Sequence, residues 1–498
     1  MNTLLLGKGE QQVHLNLKYA NRHGLIAGAT GTGKTVSLMS LAEGFSRQGV
    51  PVFITDIKGD ISGLAVAGTP NDKLLQRASQ IGIEDYQTEA NPVVFWDLAG
   101  TQGHPLRTTV SEMGPTLLGH ILELNDIQSG ILDIVFQLAD DQGLLLLDLD
   151  DLRAMLTLVA DERKEISVKY GLISAQSLAA IQRSVLGLER DGGKDFFGEP
   201  ALQLEDLMRT NLQGRGIINL LAANKLILTP RLYSSFLLWL LSELFENLPE
   251  VGDLDKPKLI FFIDEAHLLF EGCPPSLLKR VEQIMRLIRS KGVGVYFCSQ
   301  FPDDVPNEIL GQLGNRIQHA LRAYTPRDQK AVKTAAETFV PNPKLVVTDV
   351  ISQLAVGEAL VSMLADKGVP TMVERAIIAP PRCRMGPALL NELQQIRAQS
   401  PIGGKYDRLI NRESAYELLH NRRSDSVPGP STSSGSANQA SPKTEEQGWF
   451  SELIFGNKRR QGLAETLSKQ AARTVGNQLG KQILRGLLGG ILGKSTRR

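Results

Sequence analysis

The sequence predicts an α/β protein built on one mostly parallel β-sheet with helices on both faces. Apolar runs bounded by turn signals alternate with helical patterns along the chain, which is typical of parallel strands joined by crossover helices. A glycine-rich loop also follows the first of these runs and precedes a helical pattern, as at the carboxyl end of a parallel strand. The predicted strands are residues 24–27, 52–55, 93–97, 216–220, 258–263, 293–298 and 316–320.

The glycine-rich loop is the sequence GATGTGKT at residues 28–35, which fits the pattern G-x-x-x-x-G-K-[ST]. Its glycines let the backbone curl so that successive N–H groups point at phosphate oxygens, and the following helix adds the positive end of its dipole. Lys34 is predicted to reach the β- and γ-phosphates of a nucleotide, and Thr35 to hold Mg²⁺. The predicted nucleotide-binding residues are Thr30, Gly31, Thr32, Gly33, Lys34, Thr35 and Val36.

A charged cluster follows the second predicted strand. Asp56, Lys58 and Asp60 lie where this strand ends, at the edge of the sheet where the nucleotide is expected. Solvated loop charges are the more common explanation of such a cluster, and a role beside the nucleotide is the alternative.

The segment 110–210 has no convincing strand pattern and is predicted to be a helical insertion between strands. Its part from 122 to 165 carries eleven acidic and three basic residues, a net charge of −8. A solvated helical face is the favoured interpretation, and a face that repels polyanions or binds a basic partner is the alternative.

Two carboxylates follow the apolar strand in the sequence KLIFFIDEAH, residues 258–267. A metal-dependent nucleotidase needs such carboxylates at the carboxyl end of a strand. Asp264 is predicted to hold Mg²⁺ through water, and Glu265 to activate the attacking water as general base. A base in this position suits water as the nucleophile and so favours hydrolysis over transfer to a small acceptor.

Two further residues are candidates for contact with the γ-phosphate. Gln300 ends the strand predicted beside the carboxylates, where a polar side chain can respond to a γ-phosphate; an ordinary strand-end cap is the alternative. Arg316 is favoured over Arg322 as the arginine that stabilises charge on the γ-phosphate, often in a neighbouring subunit's site. A surface ion pair is the equally good alternative for Arg316.

The segment 276–291 is predicted to be a helix with one apolar and one basic face. The basic face could contact phosphates or a neighbouring subunit. The residues predicted to be buried are Leu277, Val281, Ile284, Met285 and Ile288, and those predicted to be exposed are Lys279, Arg280, Arg286 and Arg289.

The 54 basic and 54 acidic residues of the 498-residue chain balance, but their distribution is uneven. Ten Lys or Arg and one acid lie between 456 and 498, so this tail carries +9 and the rest carries −9. Apolar residues recur every four positions from 463 to 491, so the tail is predicted to be amphipathic if helical. It either docks on a partner protein, an anionic membrane or nucleic acid, or serves as a flexible solubilising tail.

The cysteine content and hydropathy predict a cytoplasmic protein. Three scattered cysteines without metal-ligand spacing are typical of reduced thiols. The sequence also lacks an apolar run of the ~18 to 20 residues that a membrane span requires.

The order of the motifs GATGTGKT, TDIKGD, FFIDEAH, CSQFPDDVP and NRI resembles the HerA/FtsK superfamily of P-loop ATPases, most closely the bacterial HerA-like helicase family. The resemblance covers about residues 24–380. It implies a RecA-like core, a homo-oligomer that is typically a hexameric ring, nucleotide between subunits, and transport of double-stranded DNA or polypeptide. It implies the roles given above for Lys34, Thr35, Asp264, Glu265 and Gln300. It also implies that Arg316 contacts the nucleotide bound by a neighbouring subunit.

These observations predict a Mg²⁺-dependent ATP hydrolase, an oligomeric motor that translocates or unwinds double-stranded DNA. The alternative is an ATPase that drives protein translocation or acts as a scaffold through a partner or membrane bound by its tail. The predicted organisation is 1–109 as the first part of the ATPase core, 110–210 as the helical insertion, 211–400 as the rest of the core, 401–423 as a helical extension, 424–448 as a disordered linker and 449–498 as the basic amphipathic tail.

Overall fold

The structure is a computed structural model, and it describes residues 2–425. The predicted basic tail, and all but the first two residues of the predicted linker, lie outside the described residues. None of the described helices is long and apolar enough to span a bilayer.

The described residues contain one sheet of twelve strands, in the order β2-β1-β12-β11-β10-β3-β9-β8-β4-β7-β5-β6. The strands from β10 to β6 are parallel, and the pairings between β2 and β10 are antiparallel. The strands are β1 Thr3–Lys8, β2 Gln12–Asn16, β3 Gly24–Ala27, β4 Val52–Asp56, β5 Val93–Asp97, β6 His104–Pro105, β7 Ile218–Ala222, β8 Leu259–Ile263, β9 Val293–Ser299, β10 Asn315–Gln318, β11 Glu358–Ser362 and β12 Glu374–Ile378.

The predicted α/β class with a mostly parallel sheet is confirmed. All seven predicted strands are present, each with bounds within two residues of the prediction. The prediction did not include β1, β2, β6, β11 and β12, which extend the parallel sheet on both sides.

Helices form the connections between the parallel strands and most of the regular structure in the segment 110–210. They are α1 Lys34–Arg47, α2 Asp72–Ile81, α3 Val110–Ile121, α4 Asp126–Gln142, α5 Leu149–Asp161, α6 Arg163–Tyr170, α7 Ala175–Leu188, α8 Lys194–Phe196, α9 Leu204–Leu207, α10 Pro230–Asn247, α11 His267–Phe270, α12 Pro275–Leu287, α13 Asn307–Leu310, α14 Pro326–Glu337, α15 Val347–Gln353, α16 Leu390–Ala398 and α17 Ala415–Asp425.

Local signals fix the ends of the inserted helices. At the start of α4, the Asn125 side chain accepts from the Gln128 N–H, and the Gln128 side chain accepts from the Asn125 N–H, both at 3.0 Å. This capping box satisfies two backbone donors that a helix start leaves free. The helix ends at Gly143, whose φ of 65° is favourable for glycine.

The amphipathic helix predicted at 276–291 is α12 followed by a 3-10 turn at Ile288–Lys291. Its five predicted apolar residues are buried, and its four predicted basic residues are exposed. The basic face is therefore available to solvent in the single chain.

The main core lies between α1 and the sheet. Phe45 of α1 packs against Phe262 of β8 and Tyr296 of β9, with ring centroids 6.3 and 6.0 Å apart. Such buried aromatic pairs contribute about 0.5–1.5 kcal/mol beyond their area. This packing fixes α1, and with it the loop before α1, over the carboxyl ends of β3, β9 and β8.

Candidate functional site

The loop between β3 and α1 has the backbone that phosphate binding requires. Gly28, Gly31 and Gly33 have φ values of 151°, 79° and 117°, a region that L side chains rarely adopt. Gly33 is the N-cap of α1 and supplies no side-chain cap, so the first N–H groups of the helix have no partner within it. Thr30 and Gly31 are exposed. The loop therefore presents backbone donors to solvent at a positive helix end.

The predicted phosphate-binding lysine is folded over this loop. Lys34 Nζ donates to the carbonyl oxygens of Gly28 at 2.6 Å and Ala29 at 3.2 Å. Burial lowers the pKa of Lys34, while the charges of Glu265 and Asp264 act to raise it. Lys34 therefore lies within electrostatic range of the predicted general base, Glu265, and of the predicted Mg²⁺ ligand, Asp264.

The other predicted loop residues divide into supporting and accessible positions. Thr32 is buried, and its Oγ1 donates to the Ala29 carbonyl oxygen at 2.7 Å, which braces the loop. Thr35 and Val36 are half-buried in the first turn of α1. The Thr35 hydroxyl and the Val36 N–H thus stand where the helix begins.

Asp264 is a buried carboxylate at the end of β8. Its N–H donates to Thr55 Oγ1 at 3.0 Å, and the Tyr233 hydroxyl donates to the same oxygen at 3.0 Å. Burial, and then the charge of Glu265, raise the pKa of Asp264 to about 7. Asp264 and Glu265 are adjacent acidic groups with little solvent, and a divalent cation would add positive charge to that of Lys58 and Lys34.

The described residues hold no group of three or more His, Cys, Asp or Glu side chains that could form a metal centre. Mg²⁺ keeps several waters and is usually bound through one or two protein oxygens together with phosphates. Thr35 and Asp264 fit that limited role, in which Mg²⁺ would neutralise phosphate charge.

Glu265 occupies a strained turn immediately after Asp264. Its φ is 47°, unusual for a residue other than glycine. The Ala266 N–H donates to the Cys298 carbonyl oxygen at 2.9 Å and ties this turn to β9. Glu265 Oε2 is buried without a hydrogen bond, and Nδ1 of His267 lies 3.5 Å away. The turn therefore aims a carboxylate into the site.

Lys58 forms an ion pair with Oε1 of Glu265. Asp56 fixes the loop that carries Lys58, since its carboxylate accepts from the N–H groups of Gly59 at 2.7 Å and Ile61 at 3.1 Å. Burial raises the pKa of Asp56 to about 6. The favoured interpretation of this cluster as solvated loop charges is therefore wrong for Asp56, which is buried, while the exposed Lys58 is paired with the site. The pairing of β4 with β8 brings the cluster to the carboxylates.

Gln300 lies between the two halves of the site. It follows β9, the strand between β3 and β8, and the preceding Ser299 accepts from the Gly28 N–H at 3.3 Å. The Gln300 side chain is half-buried and makes no hydrogen bond with any described residue. Its placement agrees with the predicted sensor position, and its response to a γ-phosphate stays a prediction.

Arg316 lies away from the loop that binds phosphate. It pairs with Leu25 within the sheet, three residues before Gly28, and its guanidinium donates to the carbonyl oxygens of Leu313 at 3.0 Å and Leu310 at 2.9 Å. Burial lowers its pKa. The structure does not bring Arg316 together with Lys34 or Glu265. Its predicted role at a neighbouring subunit's nucleotide stays a prediction.

His319 packs against the phosphate-binding loop at Gly28 and was not identified from the sequence. Its Nδ1 lies 2.9 Å from the Glu358 carbonyl oxygen, which can only accept, so Nδ1 carries the proton. Its Nε2 accepts from the Ser37 hydroxyl at 2.8 Å. A β-carbon on Gly28 would lie 2.5 Å from His319 Cβ, which explains the glycine there. The signal available in the sequence was only a polar residue after a strand.

The model of the family described as Helicase HerA-like C-terminal matches residues 2–497. No curated protein matches the chain.

Solved structures similar to the chain include a coupling protein without nucleotide, a VirB4 protein and a coupling protein with nucleotide. The unbound bacterial conjugative coupling protein TrwBΔN70 has 14% identity and a TM-score of 0.50 over 76% of this chain and 90% of its own. VirB4 of Thermoanaerobacter pseudethanolicus has 16% identity and a TM-score of 0.49 over 78% of this chain and 98% of its own. Plasmid coupling protein TrwB in complex with ADP and Mg²⁺ has 15% identity and a TM-score of 0.45 over 80% and 88%. At these identities the likeness concerns the fold alone.

Proposed function

This chain belongs to the Helicase HerA-like C-terminal family, and from that membership we propose that it is a Mg²⁺-dependent ATP hydrolase whose turnover moves double-stranded DNA. One observation carries the proposal: the sheet brings the phosphate-binding loop after β3 and the carboxylate pair after β8 to the same edge, with Gln300 between them. Parallel sheets bind ligands at this edge.

Each residue then has a chemical task. The N–H groups around Gly31 and the start of α1 bind phosphate oxygens, and Lys34 exchanges its carbonyl partners for the more strongly accepting phosphates. Thr35 and Asp264 would hold Mg²⁺, which supplies charge neutralisation at the phosphates. Glu265 accepts the proton of the attacking water.

Two features support an oligomer that acts on DNA. Arg316 donates to the carbonyl oxygens of Leu313 and Leu310 and lies away from the chain's own site, which agrees with a role at a neighbouring subunit's γ-phosphate. The basic face of α12 is exposed and can meet backbone phosphates or a neighbour. We propose a homo-oligomer, with a hexamer as the candidate assembly and double-stranded DNA as the partner.

The test is phosphate release by the full chain with Mg²⁺ and ATP, with and without long duplex DNA. The Lys34→Ala variant serves as the blank. We expect stimulation by duplex that weakens as salt rises, because phosphate contacts release counterions. Turnover that is indifferent to DNA would overturn DNA as the partner, and absence of turnover under both conditions would overturn hydrolysis.

A further inference from the structure

The Lys58–Glu265 ion pair joins the two turns that border the carboxylates. Lys58 belongs to the loop after β4, and Glu265 to the turn after β8, and these strands are paired in register from Val52↔Ile260 to Thr55↔Ile263. A charge on one loop thus holds the predicted general base on the other.

The hydrogen bonds that shape the Lys58 loop do not involve the Lys58 side chain. Both carboxylate oxygens of Asp56 accept from backbone N–H groups of this loop, and the Ser62 hydroxyl donates to the Gly59 carbonyl oxygen at 3.2 Å. The Lys58 side chain is 47% exposed. It can therefore change partner by rotation about its own bonds while the loop stays in place.

The ion pair holds Glu265 in a form that is poorly available to water. Its side chain is 6% exposed, Oε1 is bonded to Lys58, and Oε2 is buried. A general base must accept a hydrogen bond from the water that it deprotonates. Opening of the Lys58–Glu265 pair exposes that acceptor.

A bound triphosphate offers Lys58 a competing anion. Lys58 is paired with Glu265, which directly follows Asp264, the residue that would hold Mg²⁺ at the phosphates in the proposed function. We propose that Lys58 changes partner from Glu265 to the γ-phosphate when a nucleoside triphosphate binds, and thereby frees Glu265 for the attacking water. Lys58 is then a positioning residue that distinguishes a triphosphate from a diphosphate. This inference rests on the proposed function.

A double-mutant cycle on nucleotide affinity tests the exchange of partners. Binding of the imido analogue of ATP and of ADP, each with Mg²⁺, is measured for the full chain, Lys58→Ala, Glu265→Gln and the double variant. We expect Lys58→Ala to weaken the analogue ~10-fold to 100-fold, the value of a charge-assisted hydrogen bond, and to change ADP affinity less than about twofold. Lys58→Arg, which keeps the charge, is expected to restore most of the analogue's affinity.

The cycle also predicts a coupling between the two residues. Glu265→Gln removes the competing partner, so it should strengthen analogue binding more when Lys58 is present than in the Lys58→Ala background. For ADP the two backgrounds should respond alike. The exposed Lys256, which donates to the Gln48 carbonyl oxygen at 2.9 Å, is the matched control as Lys256→Ala and should change neither affinity.

The outcomes separate this inference from the proposed function. If neither nucleotide binds the unmodified chain, the proposed function fails and the exchange of partners fails with it. If both nucleotides bind but Lys58→Ala weakens them equally, or the coupling is zero, Lys58 has only a structural role and the inference alone is overturned.

Discussion

At the residue scale, Lys34 holds two carbonyl oxygens of its own loop in place of a phosphate. A phosphate is a charged acceptor and forms the stronger bond. Replacement by alanine should therefore weaken ADP binding on the order of 100-fold, measured by titration with a fluorescent ADP analogue. Lys256→Ala should bind like the unmodified chain. Unchanged affinity in Lys34→Ala would show that the loop does not bind the phosphates through this lysine.

Glu265 should be needed for turnover and not for binding. Glu265→Gln keeps the size of the side chain and removes the base, so the single-turnover rate should fall roughly 10²- to 10⁴-fold while ATP still binds. Rapid mixing of excess protein with labelled ATP gives that rate. Hydrolysis at the normal rate would remove Glu265 from the mechanism.

The sequence identified the residues of the site that belong to contiguous motifs. Lys34 and Glu265 belong to short sequence patterns whose residue types and spacing predict their chemical roles. The roles of Lys58 and His319 depend on contacts with residues 207 and 282 positions away, so no local pattern reveals them. The bonds of Arg316 to two nearby carbonyl oxygens likewise depend on how the chain turns before β10.

At the element scale, the parallel strands were predictable because they are buried on both faces. β4 and β8 are buried at every position, so they appear as continuous apolar runs. β2 and β12 mix buried and exposed positions. They form strands because each pairs with β1. In the pairing of β1 with β12, Gly7 lies opposite Ile378, and pairing between residues so far apart in the chain depends on tertiary context.

The basic face of α12 gives a prediction about salt dependence. If Lys279 and Arg286 contact phosphates, their joint replacement by alanine should reduce the slope of log K against log salt for duplex binding by about 1.8, since each contact contributes about 0.9. Fluorescence anisotropy of labelled duplex at several salt concentrations measures this slope.

The matched control for that measurement lies on another helix. Lys164 and Lys169 of α6 are also exposed, and they belong to the acidic insertion. Their joint replacement should leave the slope unchanged. Equal slopes for the α12 variant and the unmodified chain would exclude DNA phosphates as the partners of this face.

At the scale of the whole molecule, two buried histidines link stability to pH. Burial lowers the pKa of His23 and of His319 to about 4 in each case. His23 Nδ1 accepts from the Val295 N–H at 3.0 Å. Protonation of Nδ1 would place two N–H donors opposite each other and remove this hydrogen bond. The unfolded chain binds these protons below about pH 6.5. The contribution of each neutral ring to the free energy of unfolding is therefore present above that pH and is lost as the pH falls towards about 4.

Comparison with a variant isolates this effect. Asp264, with a pKa raised to about 7, titrates in the opposite sense, because its stabilising neutral form is lost as the pH rises through that value. The free energies of unfolding of the unmodified chain and of His319→Gln should therefore be measured by urea titration at pH 7 and at pH 5. The quantity to compare is the difference between the two proteins at each pH. We expect the difference to shrink by roughly 2 kcal/mol at pH 5. A difference independent of pH would show that His319 is not held neutral.

Coupling of hydrolysis to movement along DNA is the central claim, and displacement of a third strand from a DNA triplex tests it most directly. With Mg²⁺ and ATP, the full chain should release the labelled third strand as it moves along the duplex, and Glu265→Gln should bind the duplex without releasing the strand. Phosphate release at the unmodified rate with the third strand still in place would contradict the claim, since the chain would then hydrolyse ATP without moving along DNA.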